Sequence, residues 1–300
     1  MNRWLLLLCI VLFTIPTLAQ DDNLSTRVNI PYNDDGNPRQ VLDLHRPDDV
    51  DEPLPVIFMV HGGGFVFGSQ EMLFDVARRY AGMGYAVVTP TYRLAPINTY
   101  PAAIEDVFCA LAWTFENADE FNVDLSRLVL VGESAGANAA AIIATVADPS
   151  PYLTDCPYAL PDDYTIQGVV AVYLPVDLST CDCDPARGLA SLYLGIDNDD
   201  WEQAENLRDL WAEASPLAHL DEDDPPFILI HGTDDSFVPY SESELFVETY
   251  QALGGEVELF PIEGADHGYF DRVRSRPARE TYAIIDAWLQ DVLAPETAQN

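Results

Sequence analysis

Lysine is absent from this chain of 300 residues: its 14 Lys-plus-Arg cations are all arginine, set against 50 acidic residues, for a formal charge of −36. Without lysine there is no P-loop, whose phosphate cradle needs a Lys beside Ser or Thr. A surface this acidic repels nucleic acid and anionic membranes, so neither is expected as a partner. It suits a saline habitat, where screening removes the self-repulsion, and a lineage bias in composition explains it equally well. Histidine and cysteine are scarce as well, at 5 residues each, and no His cluster stands at metal-ligand spacing. A zinc site is therefore not expected. Long apolar runs are missing after the amino terminus, so no membrane span is expected in the mature chain.

What is present begins with Met1-Asn2-Arg3, then the apolar run Trp4 to Pro16, then Thr17-Leu18-Ala19 ahead of polar Gln20. That layout is an export signal cleaved after Ala19, giving a secreted or periplasmic product. The alternatives are an uncleaved anchor and, more weakly, a lipid attached through Cys9. Residues 20–300 suit one large domain with an ample core. It keeps Cys109, Cys156, Cys181 and Cys183, in a compartment that permits disulfides. Cys109 falls inside an expected helix and reads as a buried thiol. Topology puts Cys156 and the Cys181/Cys183 pair at opposite edges of a sheet. If any bridge forms, Cys181–Cys183 is the expected one.

From about residue 55 onward, strand-like and helix-like segments alternate, the pattern of a mostly parallel sheet with helices on both faces. Strands are expected at Pro55–Val60, Tyr85–Tyr92, Leu128–Val131, Val169–Tyr173, Pro226–Ile230 and Val257–Pro261. Helices are expected at Gln70–Met83, Pro101–Asn117, Ser134–Val146 and Pro277–Val292. Thr26–Tyr32 and Gln40–Leu44 add an antiparallel hairpin at one edge, which makes eight strands. Ser179–Ala218 breaks the rhythm. It is expected as a small, cap-like helical excursion over the carboxyl edge, where open α/β sheets bind ligands.

Gly132-Glu133-Ser134-Ala135-Gly136 is a G-x-S-x-G segment lying between a buried strand and an Ala-rich helix. A nucleophile elbow needs that context, because a sharp strand-to-helix turn strains the serine and exposes its hydroxyl. His61-Gly62-Gly63-Gly64-Phe65 follows another strand, and its backbone amides, with that of Ala135, can bind an oxyanion. A serine needs a base and the base an orienting acid. In the chain order Ser, acid, His, the base is His267 and the acid comes from the Asp234–Asp235 pair. His231 and His61 read as loop anchors. Phe65, Phe237, Tyr269 and Phe270 flank these positions and are candidate walls of a substrate pocket. Ordinary packing explains each equally well.

HGGGF, TYRLAP (Thr91–Pro96), YPAAIEDV (Tyr100–Val107), GESAG, HGTDDSFVP and GADHGY follow one another along the chain. Together they resemble the hormone-sensitive-lipase-like and bacterial feruloyl-esterase-like branches of the α/β hydrolases, over about Gln40 to Leu293. The resemblance implies the α/β-hydrolase fold. It implies Asp235 rather than Asp234 as the acid, and Gly63 and Gly64 as oxyanion donors beside Ala135. It also implies a serine esterase that needs no cofactor and acts on a small-molecule or polysaccharide-linked ester. Glu133 in place of the commoner Asp, and Ala137-Asn138 after the elbow, depart from the pattern and blur the substrate. An amide- or formamide-directed hydrolase on the same triad is the alternative. A non-catalytic binding protein of this fold is the remote one.

Overall fold

The computed structural model describes residues 23–179, 184–196 and 207–293. The expected export signal (1–19) and the Cys181–Cys183 link lie outside them. Eight strands form one sheet in the order β1-β2-β4-β3-β5-β6-β7-β8. The antiparallel members are β1 (Leu24–Pro31) and β2 (Val41–Pro47), and β2 also pairs antiparallel with β4 (Ala86–Pro90). The remaining pairings are all parallel, through β3 (Leu54–Val60), β5 (Val123–Glu133), β6 (Gly168–Val172), β7 (Phe227–Gly232) and β8 (Val257–Ile262). This is the α/β-hydrolase arrangement.

Central strands of such a sheet are covered on both faces, which is why they read as continuous apolar runs. In β3, Val56, Phe58 and Val60 enter one core and Ile57 and Met59 the other, the period-two alternation of a strand. The first core is shared with α2 (Ala102–Glu116) and α4 (Ala135–Thr145). The second is closed by α1 (Phe74–Ala81) and α8 (Arg276–Val292). In α4, Ala137 and Ala139–Ile142 are fully buried, and its small side chains let the helix lie hard on the sheet. Among the described residues no helix is long and apolar enough to cross a membrane.

After the short α3 (Ala118–Phe121), the excursion carries α5 (Asp184–Leu194) and α6 (Arg208–Glu213). No element was expected over Tyr240–Leu253, yet it forms α7. Its buried face mixes Phe246 and Tyr250 with Glu242 and Ser243, so the apolar period of a helix is hidden. The two polar residues are satisfied: Glu242 accepts the Val176 and Asp177 amides, and Ser243 pairs with His231.

Cys109 is not a free thiol. It is bonded to Cys156, with Cα atoms 5.5 Å apart, because the segment after α4 returns against α2, where Tyr152 stacks on Phe108 at 5.3 Å. The bridge closes a loop with a sequence separation of 47 residues. Chain entropy alone assigns such a loop about 4 kcal/mol. Cys156→Ser is expected to lower the unfolding free energy by about 2–4 kcal/mol in urea titration. A wild-type midpoint unmoved by reductant would show that the bridge does not hold the folded state.

Candidate active site

Parallel strands put all their carboxyl ends on one edge, and β3 and β5 flank the point where the chain switches direction across the sheet. Open α/β sheets form their crevices there. Ser134 follows β5 directly, with φ 53° and ψ −123°. A non-glycine residue held at such a φ is strained, and strain of this kind gathers at functional sites. The turn closes only because its flanks lack side chains. A Cβ on Gly132 would lie 2.3 Å from the Gly136 carbonyl oxygen, and one on Gly136 only 2.1 Å from that of Val60.

His267 follows β8. Its Nε2 lies 3.0 Å from Ser134 Oγ and its Nδ1 lies 2.8 Å from Asp235 Oδ2. Nδ1–H therefore donates to the carboxylate, which leaves Nε2 free to accept from the serine hydroxyl. Asp235, after β7, has a fully buried side chain, whereas Asp234 beside it is exposed and among the described residues its side chain meets only Thr233, at 3.5 Å. The second Asp235 oxygen accepts the amides of Phe237 (2.9 Å) and Val238 (2.8 Å). Burial would raise the Asp235 carboxyl. The bonds from His231 and His267, the His267 charge and the Val238 amide outweigh burial and hold it well below the usual carboxylate range.

His231 is no alternative base. It is fully buried, bonded to Ser243 Oγ at 2.7 Å and to the Val238 carbonyl at 3.0 Å, with Nε2 also 3.3 Å from Asp235. His61 stacks on Tyr92 at 4.3 Å, and its Nδ1–H donates to the Gly62 carbonyl. Burial pushes its imidazole down to about 4, so it is neutral at pH 7. Both serve as anchors. Arg93 is one too, since it binds Asp106 and Glu105 and fastens its loop to α2.

After β3 the backbone runs through Gly63, Gly64 and Phe65 with φ of 111°, 60° and 59°. Gly64 and Ala135 line a cavity beside Ser134. Among the described residues no internal acceptor takes the amides of Gly63, Gly64 or Ala135. Ala135 opens α4, so its free N–H and the helix dipole favour negative charge there. Of the four aromatic residues considered as walls, Phe65 and Phe237 line that cavity. Tyr269 and Phe270 do not: both are buried in the core beneath α8. The chain reverses at Gly268, φ 68°, and the Phe270 carbonyl then accepts the Tyr282 hydroxyl.

Three contributors escaped the sequence. Glu133 is buried and bridges two loops, accepting the Gly62 amide at 3.0 Å and the Tyr173 hydroxyl. Burial pushes its carboxyl up, against those two hydrogen bonds. Tyr173, held at φ 41°, packs its ring 4.4 Å from that of His267. Only the pairing of β5 with β6, Glu133 opposite Val172, brings the two together, and no local motif signals that. Asp266 accepts the Ser236 amide and hydroxyl at 2.9 and 2.8 Å, which ties the His267 loop to the Asp235 loop. Among the described residues no three His, Cys, Asp or Glu side chains gather as a metal ion would require.

Comparison with known proteins agrees with this architecture. The BD-FAE family model matches residues 42–250. Esterase LipC of Mycobacterium tuberculosis is 30% identical over 86% of this chain and 64% of its own length. An esterase of Gibberella moniliformis is 30% identical over 79% of this chain and 74% of its own. The chain thus spans under two thirds of LipC and about half of some other curated relatives. Among solved structures, the thermophilic esterase Est2 of Thermogutta terrifontis superposes with a TM-score of 0.70 at 26% identity, covering 92% of this chain and 95% of that one.

Proposed function

This chain belongs to the BD-FAE family, and we propose on that premise that it is a carboxylic-ester hydrolase working through Ser134, His267 and Asp235. The observation that carries the proposal is the unbroken hydrogen-bonded run from Asp235 to His267 (2.8 Å) to Ser134 (3.0 Å). His267 Nε2 takes the hydroxyl proton as Ser134 Oγ attacks the ester carbonyl. The amides of Gly63, Gly64 and Ala135 receive the oxyanion, each such donor contributing about 3–4 kcal/mol to the transition state. As the oxyanion collapses, the C–O bond to the alcohol breaks and the alcohol leaves with the proton from His267. Water then gives a proton to His267 and its oxygen attacks the acyl-enzyme. Ser134 Oγ departs, reclaims the proton, and the acid is released. Asp235 fixes the imidazole tautomer and stabilises its cation throughout.

Export with cleavage after Ala19 is part of the same proposal. The Cys109–Cys156 bridge supports it, since disulfides persist in oxidising compartments. Small or polysaccharide-linked esters, rather than nucleic acid or membrane, are the proposed partners. Purified exported protein, whose mass should place Gln20 first, is expected to hydrolyse p-nitrophenyl acetate and to leave p-nitroacetanilide nearly untouched. Equal rates on the two would reassign the site to amides.

A further inference from the structure

Asp235 is shared by two histidines. His267 Nδ1 lies 2.8 Å from its Oδ2, and His231 Nε2 reaches the same oxygen from the protein interior at 3.3 Å. Each imidazole is in turn bonded to a serine, His267 to Ser134 Oγ at 3.0 Å and His231 to Ser243 Oγ at 2.7 Å. A buried branch, Asp235–His231–Ser243, thus continues the run behind the acid, and the mechanism above makes no use of it.

The hydrogens of that branch follow from its partners. The Val238 carbonyl, 3.0 Å from His231 Nε2, can only accept, so Nε2 carries the hydrogen. Nδ1 is then an acceptor, and the Ser243 hydroxyl donates to it. One N–H is therefore shared between the Val238 carbonyl and the Asp235 carboxylate, as a three-centre bond. Two elements set this geometry: His231 lies at the end of β7, and Ser243 lies near the start of α7. The His231 and Asp235 side chains are fully buried, so water does not screen their contact. Burial pushes the Asp235 carboxyl up, and the bonds from His231 and His267 are foremost among the contacts that overcome it.

We propose that His231 is a positioning residue for the reaction: its Nε2–H, aimed by Ser243, fixes the Asp235 carboxylate that orients His267. The inference rests on the ester chemistry proposed above. His231 is fully buried and substrate never meets it, so losing its N–H should lower kcat and leave KM alone. An anchor that merely closes its loop through Val238 would make the same contacts. What separates the two is whether the effect of His231 passes through Asp235.

The test is kcat and KM on p-nitrophenyl acetate for His231→Asn and His231→Gln, each in wild type and in Asp235→Asn, with urea midpoints alongside. An asparagine amide reaches only as far as Nδ1, so it keeps Ser243 and loses Asp235. A glutamine amide reaches as far as Nε2 and keeps the donor. His231→Asn should lower kcat about tenfold at unchanged KM, the effect of losing a long hydrogen bond to a charged group. His231→Gln should stay within about threefold of wild type. In Asp235→Asn, adding His231→Asn should cost less than about twofold more, because the carboxylate it acts through is gone. An equal loss in both backgrounds, or wild-type kcat in His231→Asn, would reduce His231 to a loop anchor and overturn the proposal. Where neither amide variant folds, Ser243→Ala decides: kcat about threefold lower at unchanged KM supports the proposal, and unchanged kcat overturns it.

A wild type inert to esters but labelled at Ser134 by a fluorophosphonate would overturn the ester reading alone. The same ratios, taken from labelling rates, then judge His231. If Ser134 is not labelled either, it is no nucleophile, and the proposal falls with it.

Discussion

Ser134→Ala is expected to abolish ester turnover, with kcat falling on the order of 10⁵–10⁶-fold, while the protein stays folded. Among the described residues the hydroxyl makes one side-chain hydrogen bond, to His267, so its loss leaves no described buried group newly unpaired beyond the imidazole, which remains part-exposed. Alanine keeps the strained φ of 53°, so stability should stay within about 1 kcal/mol of wild type. Ser134→Gly should be equally inactive but more stable, because glycine releases strain of about 1–3 kcal/mol at such a φ. Urea midpoints ranking Gly above Ala would identify Ser134 as a site where stability is given up for an exposed nucleophile. A fluorophosphonate should label wild type once, at Ser134, and neither variant. Labelling at another serine, or turnover surviving in Ser134→Ala, would remove Ser134 from the mechanism.

The parts of this molecule legible in its sequence are those where one residue type has few other uses. A G-x-S-x-G after a β-branched run, or three glycines after another, constrains the backbone locally, and the strands place such loops on one edge. What was illegible depends on contacts between distant segments. Cys109 lies in an expected helix, and nothing near it reveals that Cys156 returns to within 5.5 Å. The face of α7 is hidden by Glu242 and Ser243, buried polar residues whose partners, Val176, Asp177 and His231, come from other elements. Tyr269 and Phe270 follow His267 in sequence, but the reversal at Gly268 turns them into the core. Glu133 was noticed as an odd residue in its motif. Its function as a bridge needs Tyr173, which only sheet register supplies.

The second large effect separates two neighbouring aspartates. Asp235→Asn is expected to lower kcat about 10⁴-fold, and Asp234→Asn less than about threefold. The Asp235 carboxylate accepts four hydrogen bonds: the Phe237 and Val238 amides on one oxygen, His267 Nδ1 and the longer contact from His231 on the other. An asparagine has only one oxygen for these four donors. With that oxygen kept on the two amides, its NH₂ faces His267, which can answer only by accepting at Nδ1. The imidazole proton then moves to Nε2, the atom that must accept from Ser134, and the base is disabled with its geometry intact. Asp234 is exposed, and among the described residues its side chain meets only Thr233, so its charge can be removed without touching the imidazole. The depressed Asp235 carboxyl adds a sign to the pH behaviour: acid must reach well below the usual carboxylate range before Asp235 is protonated, so its orienting charge persists as pH falls through that range. If Asp234→Asn proved the more damaging substitution, or if Asp235→Asn left the rate unchanged, Asp235 would not be the residue that orients His267.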